Sequence, residues 1–157
     1  MNHKVVVSRL FSALMAIAVA GMLALPAAAQ DSHVTVASQK SFDQTVSQLK
    51  SAVSQGGMMV MGEVNQGNML SMTGLKLKAT LFLVGNPTVG KKIFEQDPAA
   101  GLYIPLRVFV YEGKDGKAYL SYDKPSSLLG SLNNQEINMV AGMLDQKLEG
   151  LSQMATH

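Results

Sequence analysis

The chain of 157 residues has no cysteine, no tryptophan and only three histidines. Without thiols it can form no disulfide, thiol nucleophile, thiolate zinc site, iron–sulfur cluster or blue-copper centre. His3, His33 and His157 all lie near the ends, which leaves no central histidine for a catalytic dyad or a zinc site. Charge is sparse too, at 15% of residues, with 13 Lys+Arg against 11 Asp+Glu. There is one long apolar run, Leu10 to Leu25, broken only by Ser12 and Gly21.

That run follows Lys4 and Arg9 and precedes Pro26-Ala27-Ala28-Ala29. A positive start, an apolar middle and a small-residue cleavage site make a secretory signal peptide. The run is shorter than the ~20 residues a spanning helix needs. Residues 1–29 are therefore expected to be removed after Ala29, leaving residues 30–157 as one soluble periplasmic domain without stable membrane insertion. The leader carries two cationic side chains and no acidic one, so eleven cations remain against eleven acids. A chain so balanced lacks the clustered basic surface that nucleic-acid binding requires.

Val34–Ala37 alternates and predicts a first strand. Ser41 and Gln44 form a capping box at the start of a helix whose apolar face is Phe42, Val46, Leu49 and Val53, ending at Gly56-Gly57. Met58–Val64 predicts a second strand, and Met69, Leu70 and Met72 a short helix. Thr80–Val84 is continuously apolar, which predicts a central strand covered on both faces. Pro87 opens another short helix. Leu106–Glu112 and Ala118–Asp123 flank a turn containing Asp115-Gly116, a strong hairpin signal. A last helix is expected over 134–154, capped by Asn133 with Glu136 and buried through Ile137, Val140, Leu144, Leu148 and Leu151. The hairpin demands antiparallel pairing. The fold class is therefore α+β, a single compact domain with a mainly antiparallel sheet packed by two main helices.

Three strings carry a family resemblance. Gly74-Leu75 precedes the apolar strand and Gly85-Asn86-Pro87-x-x-Gly90; Ile104-Pro105-Leu106-Arg107-Val108 leads into Val110-Tyr111-Glu112; Ser121-Tyr122-Asp123-x-Pro125 follows. In this order and spacing they resemble the DUF302 family from about Val34 to Leu132. The resemblance implies a TATA-binding-protein-like β-α-β4-α domain, often dimeric, and brings no activity or cofactor with it. Family members commonly carry Asp-His where the second strand ends. This chain has Asn65-Gln66 there, and Gln66 can hydrogen-bond but cannot titrate.

Several motifs have both a chemical and a plain reading. Gly85–Lys92 matches most of a phosphate-binding P-loop, but Lys92 stands where its hydroxyl belongs and Pro87 removes a backbone donor. Weak anion attraction by Lys91, Lys92 and the helix N-terminus remains open at this stage. Met59, Met61, Met69 and Met72 could offer thioethers to Cu(I), or they could be adaptable core fillers. Cleavage one residue later, after Gln30, would place His33 third, a Cu(II)-binding arrangement that the Ala29 site spoils. Ser121 and Ser126 have no neighbouring base, and no nucleophile elbow is present. The four tyrosines either line a cleft or cap the core. With no legible catalytic arrangement, the expected function is a binding module that takes a small ligand or a protein partner through one sheet face. Asn86, Arg107 and Tyr122 are its expected lining, because they sit in the motifs without a packing role. The alternative is a Cu(I)-handling protein, and a homodimer is expected from the sheet edges.

Overall fold

A computed structural model describes residues 32–157; the leader Met1–Ala29 and its cleavage point lie outside the described residues. In chain order the elements are β1 (His33–Ala37), α1 (Phe42–Gln55), β2 (Met59–Asn65), α2 (Gln66–Ser71), β3 (Ala79–Gly85) and α3 (Pro87–Gln96). A 3-10 turn (Pro98–Leu102), β4 (Leu106–Glu112), β5 (Ala118–Asp123), α4 (Pro125–Leu129), a second 3-10 turn (Gly130–Leu132) and α5 (Gln135–Thr156) complete the domain. The strands form one sheet in the order β1-β5-β4-β3-β2, antiparallel throughout. β1 and β2 are its edges, and the α+β expectation holds.

Local chemistry sets the helix limits. Ser41 and Gln44 close the capping box reciprocally at the start of α1. At its end only Gly57 takes a left-handed φ, of 67°. Gly56 is needed for a different reason: a Cβ there would lie 2.9 Å from Leu151 Cδ2 of α5. The cap of α5 is Asn134, whose Oδ1 accepts from the N–H groups of Glu136 and Ile137 at 3.0 and 3.1 Å. Asn133, expected in that role, sits one residue outside in a left-handed turn at φ 51°.

Strand alternation divides the sheet into two faces. Phe82, Val84, Leu106, Val108, Val110, Leu120 and Tyr122 point toward α1 and α5 and meet Leu49, Val53, Ile137, Ala141, Leu144, Leu148 and Leu151. All of this core lies between Leu49 and Ala155, with Val34 packed against it. The other face carries Leu81, Leu83, Arg107, Phe109, Tyr111, Tyr119, Ser121 and Asp123, and no described element covers it. β3 is therefore covered on one face only, and its outward Leu81 and Leu83 are half-buried by strand neighbours.

The β2 edge departs furthest from expectation. A bulge between Val60 and Gly62 makes Met61 an extra residue. Met59, Met61, Met69 and Met72 are exposed rather than core fillers; Met58 is the buried methionine of this stretch. Lys50 Nζ lies 2.6 Å from Glu63 Oε2, tying the edge to α1.

Candidate functional site

Two motif strings separated by α3 and the first 3-10 turn meet at one corner of the domain. The end of β3, Val84-Gly85, runs into Asn86-Pro87 and the first turns of α3, and Ile104-Pro105-Leu106 arrives alongside to begin β4. Between them lies a cavity of about 240 Å³. Its floor is Ile93 and Leu144; its walls include Met58, Met61, Val89 and Phe94. Met61 closes one side, and its sulfur would lie 2.8 Å from a Cβ placed on Gly85. Gly90 faces the mouth, with no atom within 4 Å of where its Cβ would be. Lys91 is the single titratable side chain on the lining.

Asn86 belongs to this corner, but its polar atoms are already engaged. Its Oδ1 accepts from the N–H groups of Thr88 (2.9 Å) and Val89 (3.1 Å), and its Nδ2 donates to Gly57 O at 2.7 Å. It is the cap of α3 and a clasp to the α1–β2 turn. Gly90 N–H donates to Asn86 O, and Pro87 has no N–H. The first turn of α3 thus has no free donor to offer a phosphate, so the P-loop and helix-terminus anion readings both fall. Lys91 pairs instead with Glu95 at 3.5 Å.

Arg107 and Tyr122 are elsewhere. Arg107 stands on the uncovered face, with Nη2 3.9 Å from Asp123 Oδ2. Tyr122 is 5% exposed and faces the helices. Burial is the main force raising its phenol pKa, aided by the carboxylates of Glu149 and Asp145 and opposed by a hydrogen bond with Ser152. Of the three residues expected to line one site, Asn86 lies at the corner, while Arg107 and Tyr122 both border the hollow on the uncovered face, Tyr122 with its side chain largely buried.

Sequence reasoning missed the group that does assemble on the uncovered face. β1–β5 pairing sets His33 opposite Asp123 and Thr35 opposite Ser121. His33 Nδ1 is 2.8 Å from Asp123 Oδ1, Thr35 Oγ1 is 3.2 Å from His33 Nε2, and Thr35 Oγ1 is 2.8 Å from Ser121 Oγ. A carboxylate only accepts, so Nδ1 donates to Asp123. The Cu(II) arrangement weighed above needs a chain end at Asp31, which lies outside the described residues. Beside this chain is a shallow hollow of about 460 Å³ bordered by Arg107, Phe109, Tyr111 and Gln66, so the departure from the family's histidine falls on its rim. Phe109, Tyr111 and Tyr119 stack in sequence at 5.2 and 5.4 Å.

The copper alternative gains no support. Met59 pairs with Gly85 at one end of β3, while α2, bearing Met69, starts where Asn65 pairs with Thr80. Those points are five residues apart on β3, about 17 Å, so the four sulfurs do not converge. Among the described residues no group of three or more His, Asp or Glu side chains could hold a metal.

The geometry defines a class: one antiparallel sheet, helices on a single face, and an apolar corner pocket built from two motif strings. The profile described as "Domain of unknown function DUF302" matches residues 34–155, and the chain belongs to that family. The crystal structure of an uncharacterized conserved DUF302 protein from Bacillus stearothermophilus has the same fold. Its TM-score is 0.74 at 20% identity, over 80% of this chain and 98% of that one. Curated relatives include proteins named fluoride-specific ion channel FluC 1 from Brucella suis biovar 1 and Brucella abortus biovar 1. Each is 31% identical over 96 residues, 60% of this chain but only 38% and 36% of those proteins. The chain thus spans well under half of the relatives it matches. Among the described residues no helix is long and apolar enough to cross a membrane.

Proposed function

We propose that the chain is exported, loses Met1–Ala29, and works in the periplasm as a binding module for a small apolar molecule held in the corner pocket. The observation that carries this is the convergence of Gly85–Gly90 and Ile104–Leu106 on a ready-made cavity walled by carbon and sulfur. No nucleophile or acid–base pair lines it, so the pocket selects by shape and apolarity. Its 240 Å³ exceeds the roughly 150 Å³ that admits benzene in an apolar cavity. The test is fluorobenzene uptake by residues 30–157, followed by 19F NMR line broadening. Gly90→Leu should plug the mouth and weaken uptake about tenfold or more without lowering stability, since leucine is the better helix former. No uptake by the native sequence, or equal uptake by Gly90→Leu, sinks the reading. N-terminal sequencing of protein from the periplasm tests the export step; a chain still beginning at Met1 contradicts it.

A second reading is favoured by the curated relatives. Their printed names are those of ion channels, and this chain matches only a part of them. We infer that the domain serves beside an ion-transporting membrane protein as its extramembrane part. Cells lacking this chain should then tolerate less fluoride in growth assays; unchanged tolerance counts against it.

A further inference from the structure

The apolar side chains left in the open are not scattered. Among the described residues, eight of the thirteen large exposed ones fall between Met59 and Leu77, on the β2 edge and the segment after it. The outermost part is Met69, Leu70, Met72, Leu75 and Leu77. Met72 is 87% exposed, and next along, Gly74 turns the chain at φ +86° with no atom near its Cβ position. Leu75, Lys76 and Leu77 border a hollow of about 780 Å³ with Phe42 and Lys114, and Met69, Leu70 and Met72 stand outside it.

Two further observations say what it meets. Several of the tip's polar groups, though exposed, are bonded within it: Ser71 Oγ donates to Asn68 O, Thr73 Oγ1 donates to Leu70 O, and Asn65 Oδ1 caps Asn68 N–H, all within 2.7–2.8 Å. A segment entering a water-poor interface must satisfy its polar groups internally. The charge beside it is cationic on balance. Within 64–78 there is no Asp or Glu and there are two lysines, with Lys76 placed between Leu75 and Leu77. Lys114 lies beside the same segment; Lys78 is balanced by Glu112 at 3.4 Å, and Asp43 is the other acid nearby.

We propose that the Met69–Leu77 tip docks on the surface of a bilayer containing anionic lipid, with the apolar residues in the headgroup boundary and Lys76 and Lys114 against the phosphates. Flexible apolar side chains beside Lys76 and Lys114, which make no ion pair among the described residues, suit the headgroup boundary of an anionic bilayer. The inference is independent of the corner pocket.

Co-sedimentation with vesicles tests it. Residues 30–157 serve, because the core lies wholly within them and the apolar leader would bind lipid by itself. Binding to phosphatidylglycerol-containing vesicles, little to pure phosphatidylcholine, and release by high salt are expected. Met72→Asp and Leu75→Asp should each lower partitioning about tenfold, and Lys76→Gln about fivefold, with unchanged melting temperatures. Failure to bind anionic vesicles, equal binding to both vesicle types, or native-level binding by Met72→Asp overturns the proposal. So does concentration-dependent self-association without vesicle binding that Met72→Asp abolishes, which would assign the tip to a second copy of the chain.

Discussion

The two edges of the sheet are finished in opposite ways. Each leaves a row of unpaired backbone groups that invites another strand. On the β1 side the chain spends polar groups: His33, Thr35, Ser121 and Asp123 join side chain to side chain across β1 and β5. Lys124 N–H donates to Ser32 O, and Gln39 N–H to Thr156 O at the end of α5. On the β2 side a bulge breaks the register at Met61, and the strand turns at once into α2 with its methionines and leucines outward. One flank is tied to its inner neighbour by polar bonds. The other is apolar and awaits a neighbour, which is where the bilayer proposal places one.

The sharpest test of this contrast is Gly67→Ala. Gly67 is buried in α2, and a Cβ there would collide with the backbone carbonyl of Leu77. Backbone cannot swing aside like a side-chain tip, so overpacking should cost about 3 kcal/mol. Hydrogen exchange should rise over residues 66–78 while β1 stays protected. Uniform loss of protection across both flanks would show that the two are one cooperative unit and break the comparison.

Next in size is Asn86→Ala, at the corner where β3 meets the β2 flank. It removes an N-cap and the clasp to Gly57 O, together about 2 kcal/mol by chemical denaturation. Fluorobenzene uptake by the folded fraction should survive, because Asn86 offers the pocket no free polar atom. Arg107→Ala, on the outer face, should change stability by less than about 0.5 kcal/mol.

These residues also show how far the sequence could be read. The hairpin came out at its predicted limits, Leu106–Glu112 and Ala118–Asp123, because Asp115-Gly116 and strand alternation are local signals. The capping box at Ser41 and the stripe of α5 were legible for the same reason. What could not be read was which strand lies at an edge. Apolar alternation made the β2 methionines look like core; strand order, decided by long-range pairing, put them outside. The candidate site split likewise. The motifs marked the corner, but Asn86 drew notice as a ligand residue when its role is to cap, and Tyr122 is core. His33 and Asp123 meet only through a pairing ninety positions apart, and nothing local announces it.

Smaller again is the effect of Tyr122→Phe, which probes the β1 flank from its inner side. Burial keeps this phenol protonated above its ordinary value of 10.0. Above that pH the unfolded chain loses the proton and the folded chain retains it. The folded state then binds more protons, and its stability falls as pH rises. Tyr122→Phe should flatten that alkaline decline in melting temperature, at a neutral-pH cost of about 1 kcal/mol for the lost hydroxyl. Tyr119 shifts the same way because its hydroxyl donates to Asp115 at 2.7 Å. Tyr119→Phe should therefore flatten the decline as well, through loss of its bond to Asp115, and the two effects should add; no flattening with Tyr122→Phe would remove the assignment to burial.

The smallest effect falls on the polar chain itself. The His33–Asp123 pair is well exposed, at 59% and 37% for the two side chains, so water competes for it and its contribution is under about 1 kcal/mol. If β1 is held to β5 by the chain of bonds rather than by one pair, His33→Ala and Thr35→Val should couple in a double-mutant cycle. The coupling should be about 0.5 kcal/mol, since the two share the hydrogen bond at His33 Nε2. His33→Ala combined with Met72→Gln, on the opposite flank and without a shared partner, should be additive. Additivity of the first pair would reduce the β1 network to coincident neighbours, and the two edges would then differ only in the apolar exposure of β2.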